Sequence, residues 1–277
     1  MKKITLLFSA AIGFSVMTMA QSNGSLKLAK GQKYVVENKL TTTSNTQIQG
    51  QSMQSNADIS TVYNIEVKDK TDNNINLSNT ISNIKLNMTM MGQNINFDSD
   101  KKDDMNGNIG STLKDYINQP KDVIVDHSGR VIASKTDTSS AAAIASQLNF
   151  DASGYGAELA FLALPKNAKV GDTWSDDFSG DTSIKKTTTY TIKDITANVA
   201  TVSFTGTIAS QKSIEQMGAQ INTKTTGKIS GEEKVDTKTG VVQSNTSTTD
   251  ASGTVTAMGQ DFPTSTKLIS ATTVRTL

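Results

Sequence analysis

Period-two alternation, repeated along most of the chain, limits what this sequence can become. Tyr63, Ile65 and Val67 alternate with polar neighbours, as do Ile75, Leu77 and Ile81. Further on, Ile84, Leu86, Met88 and Met90 alternate with Lys85, Asn87 and Thr89. Successive side chains of a strand point to opposite faces, so each of these segments reads as a strand with one dry face and one wet face. Asp69 to Asn74, rich in residues that tolerate turn geometry, predicts a hairpin connection between two of them. The second half has the same character in Tyr190-Thr191-Ile192, Val202-Ser203-Phe204, Ile221 to Ile229, Val241-Val242 and a long strand after Pro263. In that last strand Thr264, Thr266, Leu268, Ser270, Thr272 and Val274 share one face, and Ser265, Lys267, Ile269, Ala271, Thr273 and Arg275 the other. Neither face is cleanly apolar, so the pattern fixes a strand and leaves its buried side open.

Helical signals concentrate between the two β-rich halves, from Ser139 to Leu164. Ile144 and Leu148 lie one helical turn apart within Ala141 to Leu148, with Ser139 and Ser140 as caps. Ala157 to Leu164 is apolar on nearly all sides, as for a helix packed under a sheet, and Pro165 is expected to stop it. A shorter helix is expected over Ser111 to Asn118. Two pairs of segments also resemble each other across the halves. Thr61 to Ile65 with Ile75 to Ser78 matches Thr189 to Lys193 with Ala200 to Ser203, and Val125 to Val131 matches Val235 to Val241.

These patterns predict a mainly β fold with a few short helices: a curved antiparallel sheet or open barrel, covered by the central helices. The expected layout is a single β-rich domain over residues 21–277, with the option of two related units, 21–138 and 165–277, joined by the helical segment 139–164. A sheet that is apolar on one side must be closed by another layer, and the central helices are the available cover.

The chain has 277 residues, 27 Lys+Arg against 26 Asp+Glu, no Cys, one His and one Trp. Cys-ligated metals, disulfides and thiol catalysis are therefore excluded, as are multi-His metal sites. Near-neutral charge gives no electrostatic argument for nucleic acid. Residues 1–20 have the parts of a cleavable signal peptide: Lys2 and Lys3, an apolar run from Ile4 to Met19, and Thr18-Met19-Ala20 before the cut. Export to the periplasm or the exterior is the expectation. Without a Cys the chain is not a lipoprotein, and no later stretch is apolar enough for a spanning helix.

The candidate sites are few. Asp126, His127 and Ser128 are adjacent in a hairpin turn, where they cannot readily form a catalytic relay, because the base must meet nucleophile and orienter from separate directions. Asp104, Asn106, Asn108 and Asp115 place oxygen ligands at the spacing of a calcium loop, although Ile109 stands where the loop wants Gly. Met88, Met90, Phe161 and Trp174 are candidate lining for an apolar ligand pocket. No catalytic residue and no cofactor is assigned.

Leu164-Pro165 through Gly171-Asp172-Thr173-Trp174, Phe97-Asp98-Ser99-Asp100, and Val125-Asp126 through Gly129-Arg130-Val131 resemble a family of exported bacterial proteins, common in flavobacteria, that is known only as a domain of unknown function. The resemblance implies an exported β-rich protein and supplies no catalytic residues. The leading expectation is a non-enzymatic binding protein for an apolar ligand, a lipid or an envelope partner. The rivals are a secreted carboxylate-dependent hydrolase and a structural or adhesive surface protein.

Overall fold

The structure, a computed structural model, describes residues 24–48, 50–72, 74–90, 92–134, 155–179, 184–216 and 219–277. The leader over 1–20 and the first part of the expected helical region, 139–154, lie outside the described residues.

The alternating segments form the strands β1 (Lys33–Ile48), β2 (Gln51–Lys70), β3 (Asn74–Met90), β4 (Gln93–Asp98), β5 (Lys121–Asp126) and β6 (Val131–Ser134). The second half supplies β7 (Thr173–Ser179), β8 (Ile184–Thr196), β9 (Val199–Gln216), β10 (Ala219–Asp236), β11 (Val242–Ala257) and β12 (Gln260–Thr276). The described helices are short: α1 (Lys102–Asn106), α2 (Asn108–Leu113) and α3 (Tyr155–Ala160). All twelve strands belong to one antiparallel sheet in the order β6-β5-β3-β2-β1-β12-β11-β10-β9-β8-β7, with β4 paired to the outer part of β3. The sheet is open and does not close into a barrel.

Alternation settles which face is dry. Val36, Asn38, Leu40 and Thr42 of β1 are buried on the same side as Tyr63 and Ile65 of β2 and Leu268 and Thr272 of β12. The face of β12 left open by the sequence is thus the one carrying Thr264 to Val274 at even numbers. Pro263 lies inside β12, at a position where the ladder to β1 has already ended at Thr264, so its missing N–H costs no bond to β1.

The first half of this inner face is apolar. Ile59, Ile65, Val67, Ile75, Leu77, Ile84, Leu86, Phe97, Val123 and Val125 pack into one continuous cluster with Tyr190, Phe204 and Trp174 of the second half. Glycines let the second half bend. A Cβ at Gly231 would lie 2.4 Å from the Phe204 ring and 2.3 Å from the Thr246 carbonyl oxygen, and one at Gly206 2.1 Å from the Thr187 carbonyl oxygen. Phe204 lies over Gly231, its direct neighbour in the β9–β10 ladder.

The central cover differs from its expected form. The helix ends at Ala160, well short of Pro165, because residues 161–164 are drawn out to pair with two turns of the sheet. Phe161 bridges Val241, the Leu162 N–H donates to Gly240 O at 2.8 Å, and the Ala163 N–H donates to Ser128 O at 3.1 Å. Four apolar residues in a row are buried there without a helical period. The second expected helix, Ser111 to Asn118, is shifted toward the N-terminus. Ile117 bridges Ile81 of β3 and Asn118 has φ 61°, which ends any helix before it.

Because Phe204 occupies the space a side chain would need, Gly231→Ala should lower stability by about 1–3 kcal/mol. Urea unfolding should show a lower midpoint at unchanged slope; an unchanged midpoint would mean that the bend does not depend on this glycine.

Candidate functional site

Extending the inward parity of the second half leads to a cluster of charges. Trp174 is inward on β7, and so is Asp176 two residues later; Tyr190 is inward on β8, and so are Thr188 and Lys186; Val235 is inward on β10, and so is Glu233. Each charged group is buried because the apolar residue of its own strand fixes the face on which it must point. Asp176, Lys186 and Glu233 are 3%, 4% and 0% exposed. Glu158 of α3 joins them from the covering layer and is also buried.

Hydrogen bonds continue the cluster across the sheet as a belt. Asn245 Nδ2 of β11 donates to Glu233 Oε1 at 2.6 Å. Thr272 faces Asn245 in the β11–β12 ladder, and the Ser270 and Thr272 hydroxyls donate to Asn38 Oδ1 of β1 at 3.0 and 2.9 Å. Asn38 in turn faces Thr61 of β2. Several belt atoms find no hydrogen-bond partner among the described residues: Glu233 Oε2, Ser247 Oγ, Thr249 Oγ1, Arg130 Nε and Trp174 Nε1.

At its far end the belt bridges the two edges of the sheet. Arg130 precedes β6, Asp176 lies in β7, and these are the first and last strands in the sheet order. The Arg130 guanidinium donates to Asp176 Oδ1 at 2.8 Å, an ion pair across the seam that no ladder hydrogen bond closes. Asp176 is buried more completely than its half-buried partner.

Burial dominates the proton affinities. It pushes Asp176 up to about 6 even though Arg130 and Lys186 pull it down. It pushes Glu233 up to about 7 against the pull of Lys186 and the Asn245 hydrogen bond. The Lys186 ammonium is driven down to about 8 by the same loss of water, partly offset by Glu233, Asp176 and Glu158. The Tyr190 phenol is held well above its usual range by burial and by the nearby Glu233.

Of the residues singled out from the sequence only Trp174 borders the belt. Trp174 stacks on Tyr190 with centroids 5.2 Å apart and planes at 12°, and Phe161 meets Tyr34 edge-on at 5.5 Å. Both rings and Met88 belong to the buried apolar cluster; the Met90 side chain lies outside the described residues. Asp104 and Asn106 lie on α1, Asn108 opens α2, and Asp115 follows it. Asp104 Oδ2 accepts the Asp98 N–H at 2.8 Å, which closes the turn from β4 into α1. Among the described residues no three His, Cys, Asp or Glu side chains converge on a common point for a metal ion. Asp126 Oδ1 accepts the Ser128 N–H, the Ser128 hydroxyl and the Arg130 N–H, while the His127 ring meets the Asp72 carbonyl. Asp126 and Ser128 are thus committed to their own turn, and His127 reaches the turn between β2 and β3. Outside the belt, a groove of about 560 Å³ on the outer face is lined by Lys185, Thr187, Thr207, Lys228, Asp250 and Ser252 among others.

The fold and the belt define a rolled, open β-sheet protein with a charged strip inside. Residues 155–242, which contain Glu158, Trp174, Asp176, Lys186 and Glu233, match the model of a family of unknown function (DUF6263). The Leu164 to Trp174 motif falls within that span. No curated protein matches the chain. Among solved structures the chain is similar to lipovitellin, seen in a structure of its lipid–protein interactions, at 15% identity and a TM-score of 0.51, over 90% of this chain and 25% of that one. It thus spans about a quarter of the length of that protein. An outer membrane channel from Pseudomonas putida F1 aligns over 92% of this chain and 100% of its own at 9% identity, with a TM-score of 0.22. Salmonella typhi OmpF aligns over 90% and 100% at 7% identity, also with a TM-score of 0.22. Shape agreement with the two channels is too low to carry an argument.

The raised carboxylates and the lowered lysine fix the sign of a pH effect. Asp176 and Glu233 bind protons more tightly folded than unfolded, so their contribution is fullest below pH 4 and is lost as pH rises through 6 and 7. Lys186 contributes above its unfolded value and loses that contribution as pH falls through about 8. Stability should therefore be lowest between about pH 7 and 8 and rise by about 1–3 kcal/mol on acidification to about pH 5.5. Urea midpoints across this range test it. Glu233→Gln should remove much of the rise, and a midpoint that falls on acidification would show that other groups dominate.

Proposed function

We propose that the protein is an exported binding protein that holds an apolar or amphiphilic ligand against the inner face of its sheet. One observation carries this reading: the inner face is divided. The half formed by β2 to β5 is lined mainly by Ile, Leu, Val and Met side chains, with Thr61, Ser78 and Asn79 as buried polar residues, whereas the half formed by β7 to β12 sets Asp176, Lys186, Glu233 and a row of hydroxyls among its apolar residues, with Glu233 Oε2, Ser247 Oγ and Thr249 Oγ1 lacking a hydrogen-bond partner among the described residues. A filled structural core gains nothing from such a division, since unpartnered buried polar atoms cost about 1–3 kcal/mol each. A molecule with an apolar body and a polar end would meet both halves.

The likeness of the sheet to that of lipovitellin supports a lipid as ligand class at the level of fold only. Export rests on the leader read in residues 1–20. The carboxylate-hydrolase alternative has less support, because Asp176 is engaged by Arg130 and Glu233 by Asn245 in the buried belt.

The test is native mass spectrometry of the mature protein purified from its own envelope, with extraction and identification of any bound small molecule. A stoichiometric amphiphile is expected. Trp174, the single tryptophan, stacks beside the belt and should report rebinding of that molecule by a change in fluorescence. A clean apo mass together with no response of Trp174 to added phospholipid or fatty acid would overturn the reading.

A further inference from the structure

We infer that the groove on the outer face of β8 to β11 is a binding site for a carboxylated glycan, a uronate polymer. This goes beyond the reading of the inner face and does not depend on it. Strand parity builds the groove. Lys186 and Thr188 point inward on β8, so Lys185 and Thr187 point outward, and the ladders extend these positions into two rows across four strands. One row runs Thr187, Thr207, Lys228, Asp250, and the other Lys185, Ala209, Thr226, Ser252. Ala209 has the smallest side chain of the eight and lies between the longer ones of Lys185 and Thr226. The space is about 560 Å³, within the roughly 300–1,000 Å³ of ligand sites. Lys185, Thr187, Thr207, Lys228 and Asp250 are exposed, so the groove is open, as a site for a chain that passes across it must be.

The polar groups of the groove are free. Elsewhere on this face hydroxyls pair with one another, Ser175 with Thr189 at 3.1 Å and Thr173 with Thr191 at 3.4 Å. Thr187 and Thr207 are ladder neighbours, yet their hydroxyls do not bond, and those of Thr226 and Ser252 also lack a partner among the described residues. Lys228 and Lys267 flank Asp250 from β10 and β12, and among the described residues neither forms an ion pair with it, nor does Lys185 with any acid. Other cations of the outer face do hold carboxylates: Lys68 holds Glu66, Lys85 holds Asp98, and Arg275 holds Glu37.

Hydroxyls that donate and accept, set beside ammonium groups, complement the hydroxyls and carboxylates of acidic sugars. Lys185 and Lys228 stand two strands and one row apart, roughly 12 Å between Cα atoms at ordinary sheet spacing, so they meet charges on different sugar units. Two lysines against one aspartate leave the groove a single positive charge in excess, which favours a sparsely charged chain over a densely sulfated one. No aromatic ring lines the groove to stack a nucleic-acid base, and Asp250 is its one carboxylate, too few for a divalent cation.

The experiment titrates oligogalacturonate and its methyl ester, equal in length, into the full mature protein and reads binding by calorimetry. The acid is expected to bind at least about fivefold more tightly than the ester. Lys185→Gln and Lys228→Gln should each cut that preference about twofold. Lys234→Gln, outward on β10 beyond the groove, should leave it unchanged. Ala209→Tyr keeps every charge but fills the groove, and should abolish binding of the acid at an unchanged urea midpoint. Equal binding of acid and ester, or binding of neither, would overturn the proposal. An equal loss in Lys234→Gln, or binding retained in a folded Ala209→Tyr protein, would remove the groove as the site. Tighter binding of dextran sulfate than of the acid would mark a general polyanion surface and overturn the uronate. Should Ala209→Tyr fail to melt cooperatively, the double variant Lys185→Gln, Lys228→Gln decides, since it removes only exposed charges: an undiminished preference there would overturn the assignment.

Discussion

A sheet of twelve strands with one dry face cannot remain flat in water; the dry face has to be covered and its two edges have to be brought together or shielded. This chain does so without closing a barrel. The sheet rolls until Arg130, beside one edge strand, reaches Asp176 on the other, and this ion pair spans a seam that no ladder among the described residues crosses. The pair is asymmetric, with the carboxylate buried and the guanidinium half-exposed. Removing Arg130 would therefore leave an uncompensated charge in a dry place, at a cost of about 3–5 kcal/mol, whereas the intact pair contributes much less net stability than that. Its role lies in geometry: it fixes where the two edges meet.

The covering layer is fastened by two turns of the same construction. In one, Asp126 Oδ1 accepts from the Ser128 hydroxyl and from backbone N–H groups of its own turn, and Gly129 takes φ 97°. In the other, Asp236 Oδ1 accepts from the Thr239 hydroxyl and from the N–H groups of Lys238 and Thr239, and Gly240 takes φ 79°. Each turn then offers carbonyls to the same two segments. Leu26 donates to His127 O and Lys27 to Thr239 O, while Ala163 donates to Ser128 O and Leu162 to Gly240 O. The likeness between these stretches visible in the sequence thus corresponds to a shared task, since both turns must hold their carbonyls rigidly toward the buried cover.

Much of the architecture is legible in the sequence because the strands are long and their alternation is regular. Tyr63-x-Ile65-x-Val67 and Ile84-x-Leu86-x-Met88 name their own buried face. The cover is less legible. Ala157 to Leu164 is apolar without a period, and an apolar run of that kind suits a helix and a buried extended segment equally. What decides it is tertiary: the carbonyls of Ser128 and Gly240 compete successfully for the N–H groups of Ala163 and Leu162. The belt is hidden for another reason. Lys186 stands in Ile184-Lys185-Lys186-Thr187, and nothing local distinguishes the lysine that is buried from the one beside it. Counting back in twos from Tyr190 would have found it, and the same count forward from Trp174 finds Asp176. Hydrophobicity weighs against the result of that count, so a charge at an inward position reads as an error in the pattern although the fold places it there.

The belt also resolves a problem that the hydrophobic pattern leaves open. β1 and β12 come from opposite ends of the chain and carry hydroxyl groups on their inner faces over much of their length, so burial of apolar surface penalises a slipped register only weakly. Directional bonds do so instead. Asn38 accepts from Ser270 and Thr272 together, Ser44 pairs with Thr266 at 2.8 Å, and Thr46 pairs with Thr264 at 3.1 Å. A shift of β12 by one residue would turn Thr264, Thr266, Ser270 and Thr272 to the outer face and break the whole set. The polar residues at the centre of the sheet therefore specify the pairing that joins the two chain halves. The same strip continues into Asn245 and Glu233, whose hydrogen bond fixes the β10–β11 pairing in the same way.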